Sequence, residues 1–175
     1  MKSLTGILGL LLMLCLVTLS VNARVNPLTH YPSFQAVGSG VLTWWGIGIY
    51  QATLYAPQGE YGPDQPHALE IVYRKNISRK QLAKTSIKEI EKIRGRPLPD
   101  RDGVLGRFEA VFRDVSPGDT LLGIHLPGEG ARFYTSTDYL GLIDDPDLAA
   151  AFFDIWLSPA TTKPKLRAAL LGQTQ

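Results

Sequence analysis

The stretch GSGVLTWWGIGIYQATLYA, residues 38–56, constrains the fold more than any other part of the chain. Residues 34–56 are rich in β-branched and aromatic side chains. As one strand they would run about 75 Å at roughly 3.3 Å per residue, several times the usual strand length. The segment therefore folds back on itself. The bend is expected near Leu42 to Trp45, although no Asn-Gly or Asp-Gly marks a tight hairpin there. Side chains alternate along a strand. Gly46, Gly48, Tyr50, Ala52 and Leu54 are thus expected on one face, and Trp45, Ile47, Ile49, Gln51 and Thr53 on the other. The first face is low, with a phenol at its edge. Glycine inside a strand marks the close approach of another backbone or of a ligand. Two readings stay open: a helix seats on Gly46 and Gly48, or these glycines floor a ligand site.

The rest of the chain supplies partners for such a hairpin. HALEIVYR, residues 67–74, alternates Leu69, Ile71 and Tyr73 against Glu70, Val72 and Arg74, which predicts a third strand. Ser78 followed by Gln81 predicts a capped helix with Leu82, Ala83, Ser86, Ile87, Ile90 and Ile93 on its buried side, ending at Gly95 and Pro97. Leu105, Phe108, Val111, Phe112 and Val115 have helical spacing and predict a second helix. TLLGIHL, ARFYTS and YLGLI predict three short strands. Asp145-Pro146 is a cap followed by proline at the first helical position. The stripe Leu148, Ala151, Phe152, Ile155 and Trp156 follows, and a last helix runs from Pro164 to Leu171. Strands come first and helices gather in the middle and at the end, without strand–helix alternation. This predicts an α+β fold, a large antiparallel β-sheet with helices packed on one face.

Residues 1–23 are set apart. Lys2 precedes an apolar run from Leu4 to Val17, and Val21-Asn22-Ala23 resembles a cleavage site, the layout of a signal peptide. The run falls short of the roughly 20 residues a membrane-spanning helix needs. The expectation is an exported domain over residues 24–175, located in the periplasm. Removing Lys2 and Cys15 with the leader leaves 17 Lys and Arg against 16 Asp and Glu, a net charge of +1, and no cysteine. That excludes a thiol nucleophile and thiolate metal sites, and the strong positive charge of a general nucleic-acid binder is missing.

Three stretches carry a family resemblance. GVLTWWGIGIYQATLYA resembles the glycine, aromatic-glycine and Y-x-A-x-L-Y pattern of bacterial exported proteins of the chalcone isomerase-like family. FFDIWLSPATTKPKLRAALLG, residues 152–172, is similar to that group's C-terminal signature. FEAVFRDVSPGDTLLGIHLPGEG, residues 108–130, is similar to its helix, Gly-Asp turn and strand. The resemblance implies a ligand cleft between sheet and helices. In that family, plant members cyclise chalcones, while plastid relatives hold a fatty acid and catalyse no known reaction. The enzymes use an arginine in the first strand-turn to favour a phenolate, since a fixed cation stabilises an anion in a partly dry cleft. Here that stretch reads Gly40-Val41-Leu42-Thr43. The tyrosine and asparagine that the resemblance implies on the helix beginning at Ser78 are missing from residues 78–94. Tyr50 matches, by its place in I-Y-x-A, a tyrosine that touches the ligand carboxylate in the fatty-acid-binding relatives.

The expected site is therefore Tyr50 as polar contact, Gly46 and Gly48 as floor, and Leu42 in the arginine's place. Arg107 would supply a cation if the second helix turns it inward. No catalytic residue, metal ligand or cofactor is expected. The expected function is non-catalytic binding of a small amphipathic molecule such as a fatty acid. An isomerase or intramolecular lyase, and an envelope interaction protein, are the alternatives. Lys80, Lys84, Lys88 and Lys92 recur along one helix side, either as a solvated face or as a contact for anionic lipid. His30, His67 and His125 have no metal-ligand spacing, and His125 is expected to be a satisfied sheet residue.

Overall fold

The computed structural model describes residues 27–173, so the signal-peptide reading of residues 1–23 lies outside the described residues. Six strands form one antiparallel sheet whose spatial order follows chain order. They are β1 (Phe34–Trp44), β2 (Ile47–Pro57), β3 (His67–Tyr73), β4 (Thr120–Leu126), β5 (Gly130–Tyr134) and β6 (Tyr139–Ile143). Helices α1 (Arg79–Arg94) and α2 (Arg101–Val111) lie between β3 and β4, and α3 (Pro146–Leu157) and α4 (Pro164–Leu170) follow β6. All four helices bury side chains in one core with one sheet face, as the α+β pattern predicts. A 3₁₀ turn, Pro27–His30, and Tyr31 and Phe34 serve a smaller cluster over Ala68, Leu122 and Ile124 on the other face.

Local chemistry explains the helix ends. The Ser78 hydroxyl accepts the Gln81 N–H at 3.2 Å, and Gly95 closes α1 in the left-handed region at φ 65°. Asp145 accepts the Leu148 N–H at 3.0 Å, with Pro146 opening α3. The second helix is shorter than its apolar spacing predicts. It ends at Val111, Phe112 is extended, and Val115 instead bridges Ile77. The core is aromatic at its centre, where Phe152 packs against Phe108, Phe112, Phe133 and Trp156.

The first hairpin turns at Trp45 and Gly46, just beyond the expected bend, and both residues have positive φ, 50° and 75°. Two left-handed residues in succession make the primed turn that matches strand twist, which is why so short a connection suffices. Gly46 thus belongs to the turn and floors nothing, with open space where a side chain would stand. Gly48 also leaves the expected face. Leu42 pairs with Tyr50 but Thr43 pairs with Gly48, so Ile49 is an extra residue, a β-bulge. The bulge breaks the alternation. A Cβ on Gly48 would meet Arg74 at 3.3 Å and Val41 at 3.7 Å, beside the Arg74–Gln51 hydrogen bond.

The close helix approach exists elsewhere on the hairpin. A side chain on Gly38 would overlap the Ala169 carbonyl oxygen, and one on Gly40 would lie 2.8 Å from Leu166 Cδ1 and 2.9 Å from Ala169 Cβ. Helix α4 therefore seats on Gly38 and Gly40 of β1. No helix seats on Gly46 or Gly48, so the expected helix contact is corrected to Gly38 and Gly40.

Candidate functional site

Beyond the reach of α4, the sheet and the helices part. A cavity of about 690 Å³ opens between β1–β3 on one side and α1 and α3 on the other. Leu42, Ile49, Ile71, Phe112, Leu121 and Phe152 give it an apolar interior, and Trp44 lies along it at the hairpin end. Its size is that of a small-molecule site. Leu82 of α1 is half-buried because its side chain faces this space.

Two phenols supply polar groups inside. Tyr50 and Tyr73 are register partners on β2 and β3, and their rings meet edge to face at 6.0 Å. Trp156 of α3 donates its indole N–H to the Tyr50 hydroxyl at 2.8 Å, which fixes the phenol against the helix layer. The Tyr50 hydrogen has no protein acceptor among the described residues, so it is available to a guest. Burial is the main reason that the Tyr50 hydroxyl is pushed up to about 12, outweighing the Trp156 hydrogen bond, with the Glu89 charge adding to the rise. Burial likewise raises Tyr73. Both phenols are neutral hydrogen-bond donors near neutral pH, and among the described residues no cation acts on either to favour a phenolate.

A charged cluster forms the cavity's other polar part. Glu89 of α1 is buried, and its carboxylate accepts from Lys92 Nζ at 2.7 Å and from the Thr162 hydroxyl. Lys163 Nζ lies 3.5 Å from the same carboxylate and donates to Thr162 Oγ1 at 2.6 Å. Burial opposes ionisation of Glu89, but the bonds from Lys92 and Thr162 and the charges of Lys163 and Lys92 outweigh it and hold the carboxyl below its ordinary range. Lys163 is the one cation among the cavity's lining residues, and Glu89 compensates it.

The expected site residues thus separate. Tyr50 and Leu42 line the cavity. Gly46 lies in the turn, and Gly48 looks to the opposite face. Arg107 does not turn inward. Val104, Phe108 and Val111 take the buried side of α2, which leaves Arg107 at the surface, paired with Asp145 at 2.7 Å. There it ties α2 to the start of α3. The Leu148 N–H and, after it, Arg107 hold the Asp145 carboxyl below its usual range. All four α1 lysines are exposed, and Lys92 also pairs with Glu89. His125 is buried opposite His67 across the β3–β4 pair, with ring centroids 4.8 Å apart. His125 Nδ1 has no hydrogen-bond partner, so the expectation of a satisfied sheet residue is corrected.

Sequence reasoning missed Tyr73, Glu89, Lys163 and the role of Trp156. Tyr73 was findable, since it ends its strand on the core-facing parity as Tyr50 does on the neighbouring strand. Glu89 and Lys163 meet across 74 positions of chain, and nothing local announces the contact.

The chain matches the chalcone isomerase-like family over residues 29–172. It is 36% identical over 152 residues to an uncharacterised protein of Haemophilus influenzae, across 85% of this chain and 72% of that protein. Among solved structures, it is similar to the crystal structure of a fatty-acid binding protein of Arabidopsis thaliana. The TM-score is 0.62 at 14% sequence identity, covering 79% of this chain and 87% of that one. At that identity the likeness is one of fold.

Proposed function

The chain belongs to the chalcone isomerase-like family, and from that premise we propose that it binds a small amphipathic molecule, without catalysis, in the cavity between the sheet and helices α1 and α3. The observation that carries this reading is the cavity itself, about 690 Å³ with an apolar interior and a desolvated phenol whose proton has no protein acceptor. Tyr50 and Tyr73 would donate to the guest's polar head, and Leu42 and its neighbours would hold the chain. A fatty acid, the guest named for the Arabidopsis protein of the same fold, has the required shape.

The electrostatics favour a head that arrives uncharged. The one lining cation, Lys163, is already compensated by Glu89, and a buried carboxylate needs a partner of its own. A fatty alcohol, an ester or a protonated fatty acid meets that condition. Leu42, in place of an arginine, fits binding better than phenolate chemistry. We place the binding in the periplasm on the strength of the leader-like residues 1–23. A mature protein beginning at Arg24 in an envelope extract is the expected finding.

Titration of the purified protein with hexadecanol and with palmitate tests the reading. Hexadecanol is expected to bind at pH 7 more tightly than palmitate. Palmitate binding should strengthen as the pH falls toward the range where carboxylates protonate. Leu42→Trp should narrow the cavity beside Tyr50 and weaken uptake of both. Uptake of neither by the unaltered protein would overturn the proposal.

A further inference from the structure

Trp45 is a residue type that neither the turn nor packing calls for at its position. Its φ of 50° lies in the left-handed region, which bulky side chains rarely adopt and which a two-residue hairpin usually gives to Asn or Gly. The residue is 88% exposed, so no burial offsets the unfavourable backbone. The neighbours are of the same kind. Trp44 is 66% and Ile47 53% exposed, and Val41 is exposed beside them. These are four of the six exposed large apolar side chains among the described residues, gathered on one hairpin around its turn.

Basic residues flank this tip. Arg74 packs under Gly48 at the foot of the hairpin, and Lys75, Arg79, Lys80 and Lys84 follow on the connection and the first turns of α1, all exposed. The nearby acids are engaged locally: Asp114 accepts the Arg79 N–H at 2.7 Å and Asp119 the Ser116 N–H at 2.8 Å. We propose that the β1–β2 hairpin tip docks on an anionic lipid surface. Trp45 and Ile47 would enter the interface and the basic residues from Arg74 to Lys84 would face the headgroups. Indole rings favour that depth, and basic side chains add attraction to anionic lipid.

Two features favour a bilayer over a protein as the occupant. A stable protein interface takes roughly 20–30 residues from each side. A hairpin end with four exposed apolar side chains is far smaller, yet a few inserted side chains with a basic surround suffice for reversible membrane contact. Trp44 also belongs both to the tip and to the cavity lining, so a docked hairpin would set the cavity beside the lipid. The proposal stands on the hairpin and does not require the cavity's guest to be known.

Flotation with vesicles of phosphatidylcholine alone, or of equal parts phosphatidylcholine and phosphatidylglycerol, tests it. The unaltered protein should float with the anionic vesicles, less so as salt rises, and its tryptophan emission should shift to the blue. Trp45→Asn removes the indole while supplying a residue that the turn favours, so its melting temperature should hold or rise. Its vesicle affinity should fall roughly tenfold, with hexadecanol uptake unchanged. A Lys75→Glu, Lys80→Glu variant should lose the preference for anionic vesicles. Equal binding by Trp45→Asn, or no binding of either vesicle by the unaltered protein, would overturn the proposal. So would self-association that Trp45→Asn abolishes without any vesicle binding, which would assign the tip to a second copy.

Discussion

Along β1 the same sheet face meets two different fates within a few residues. At Gly38 and Gly40 it is closed, with α4 so near that a side chain would overlap backbone or meet Leu166 and Ala169. At Leu42 and Trp44 it is open, and the space above belongs to the cavity. The glycines lie under the closed part and the large side chains under the open part. A stretch poor in side chains is where a helix comes down, and a ligand space arises where the helix layer stops short. The hollow is a property of the second layer more than of the sheet.

Gly38→Val challenges the closed part most directly. The obstructing atoms are backbone carbonyls of α4, which cannot rotate away as a side-chain tip can. The variant is expected to lose about 3 kcal/mol, at the upper end of overpacking effects. Urea unfolding checks this. Stability equal to the unaltered protein would mean that α4 does not hold β1.

Acid attacks the packed side by another route. His67 is lowered to about 4, chiefly by burial, then opposed by its bond to the Gln65 carbonyl, with His125 lowering it further. His125 is lowered by burial too. The folded state keeps both neutral while the unfolded chain takes up protons. Their contribution is therefore whole above the ordinary histidine value and declines as the pH falls below it, for His67 through the window from about 6.5 to about 4. For His67 this is on the order of 3 kcal/mol at the low end of that window. His67→Phe, which keeps a ring between Tyr61 and Phe153, should flatten the pH profile. An unchanged profile would place the acid sensitivity elsewhere.

Smaller effects are expected on the open side. Tyr50→Phe leaves the Trp156 N–H without its acceptor, with an expected loss of about 1–2 kcal/mol in stability and weaker hexadecanol binding. Leu42→Ala should change stability least, by about 1 kcal/mol or less, because Leu42 already borders empty space and is only half-buried. Its readout is the preferred chain length of the guest, which should increase. A large stability loss at Leu42 would mean that the open part is packed after all.

What the sequence disclosed follows the range of the interactions. Helix ends were legible because Ser78 with Gln81, and Asp145 with Pro146, act within one turn. The antiparallel α+β layout followed from strand patterns without regular strand–helix alternation. Tyr50 was legible on its parity and its resemblance to a ligand-contacting tyrosine, and it does line the cavity. The faces of Gly46 and Gly48 were not legible. Strict alternation assumes an unbroken strand, and the extra residue at Ile49 and the left-handed turn at Trp45 are set by pairing with β1. Arg107 was misplaced for a related reason. Its helix turns Val104, Phe108 and Val111 toward the core, and the Asp145 that captures it lies far along the chain.

The seat of α4 on β1 also has a consequence in time. Each strand of the sheet bonds to neighbours in chain order, so pairing can proceed as the polypeptide grows. The glycine face of β1 is the exception, since its cover comes from Leu166 to Leu170. At roughly 5–20 residues per second, on the order of ten seconds of synthesis separate that face from the helix that shields it. Throughout that interval the outermost strand has a bare flank and an unpaired edge, the condition under which nascent chains pair with one another. The last helix thus acts as a latch, and a chain cut before residue 164 would hold all six strands yet leave the glycine face of β1 uncovered.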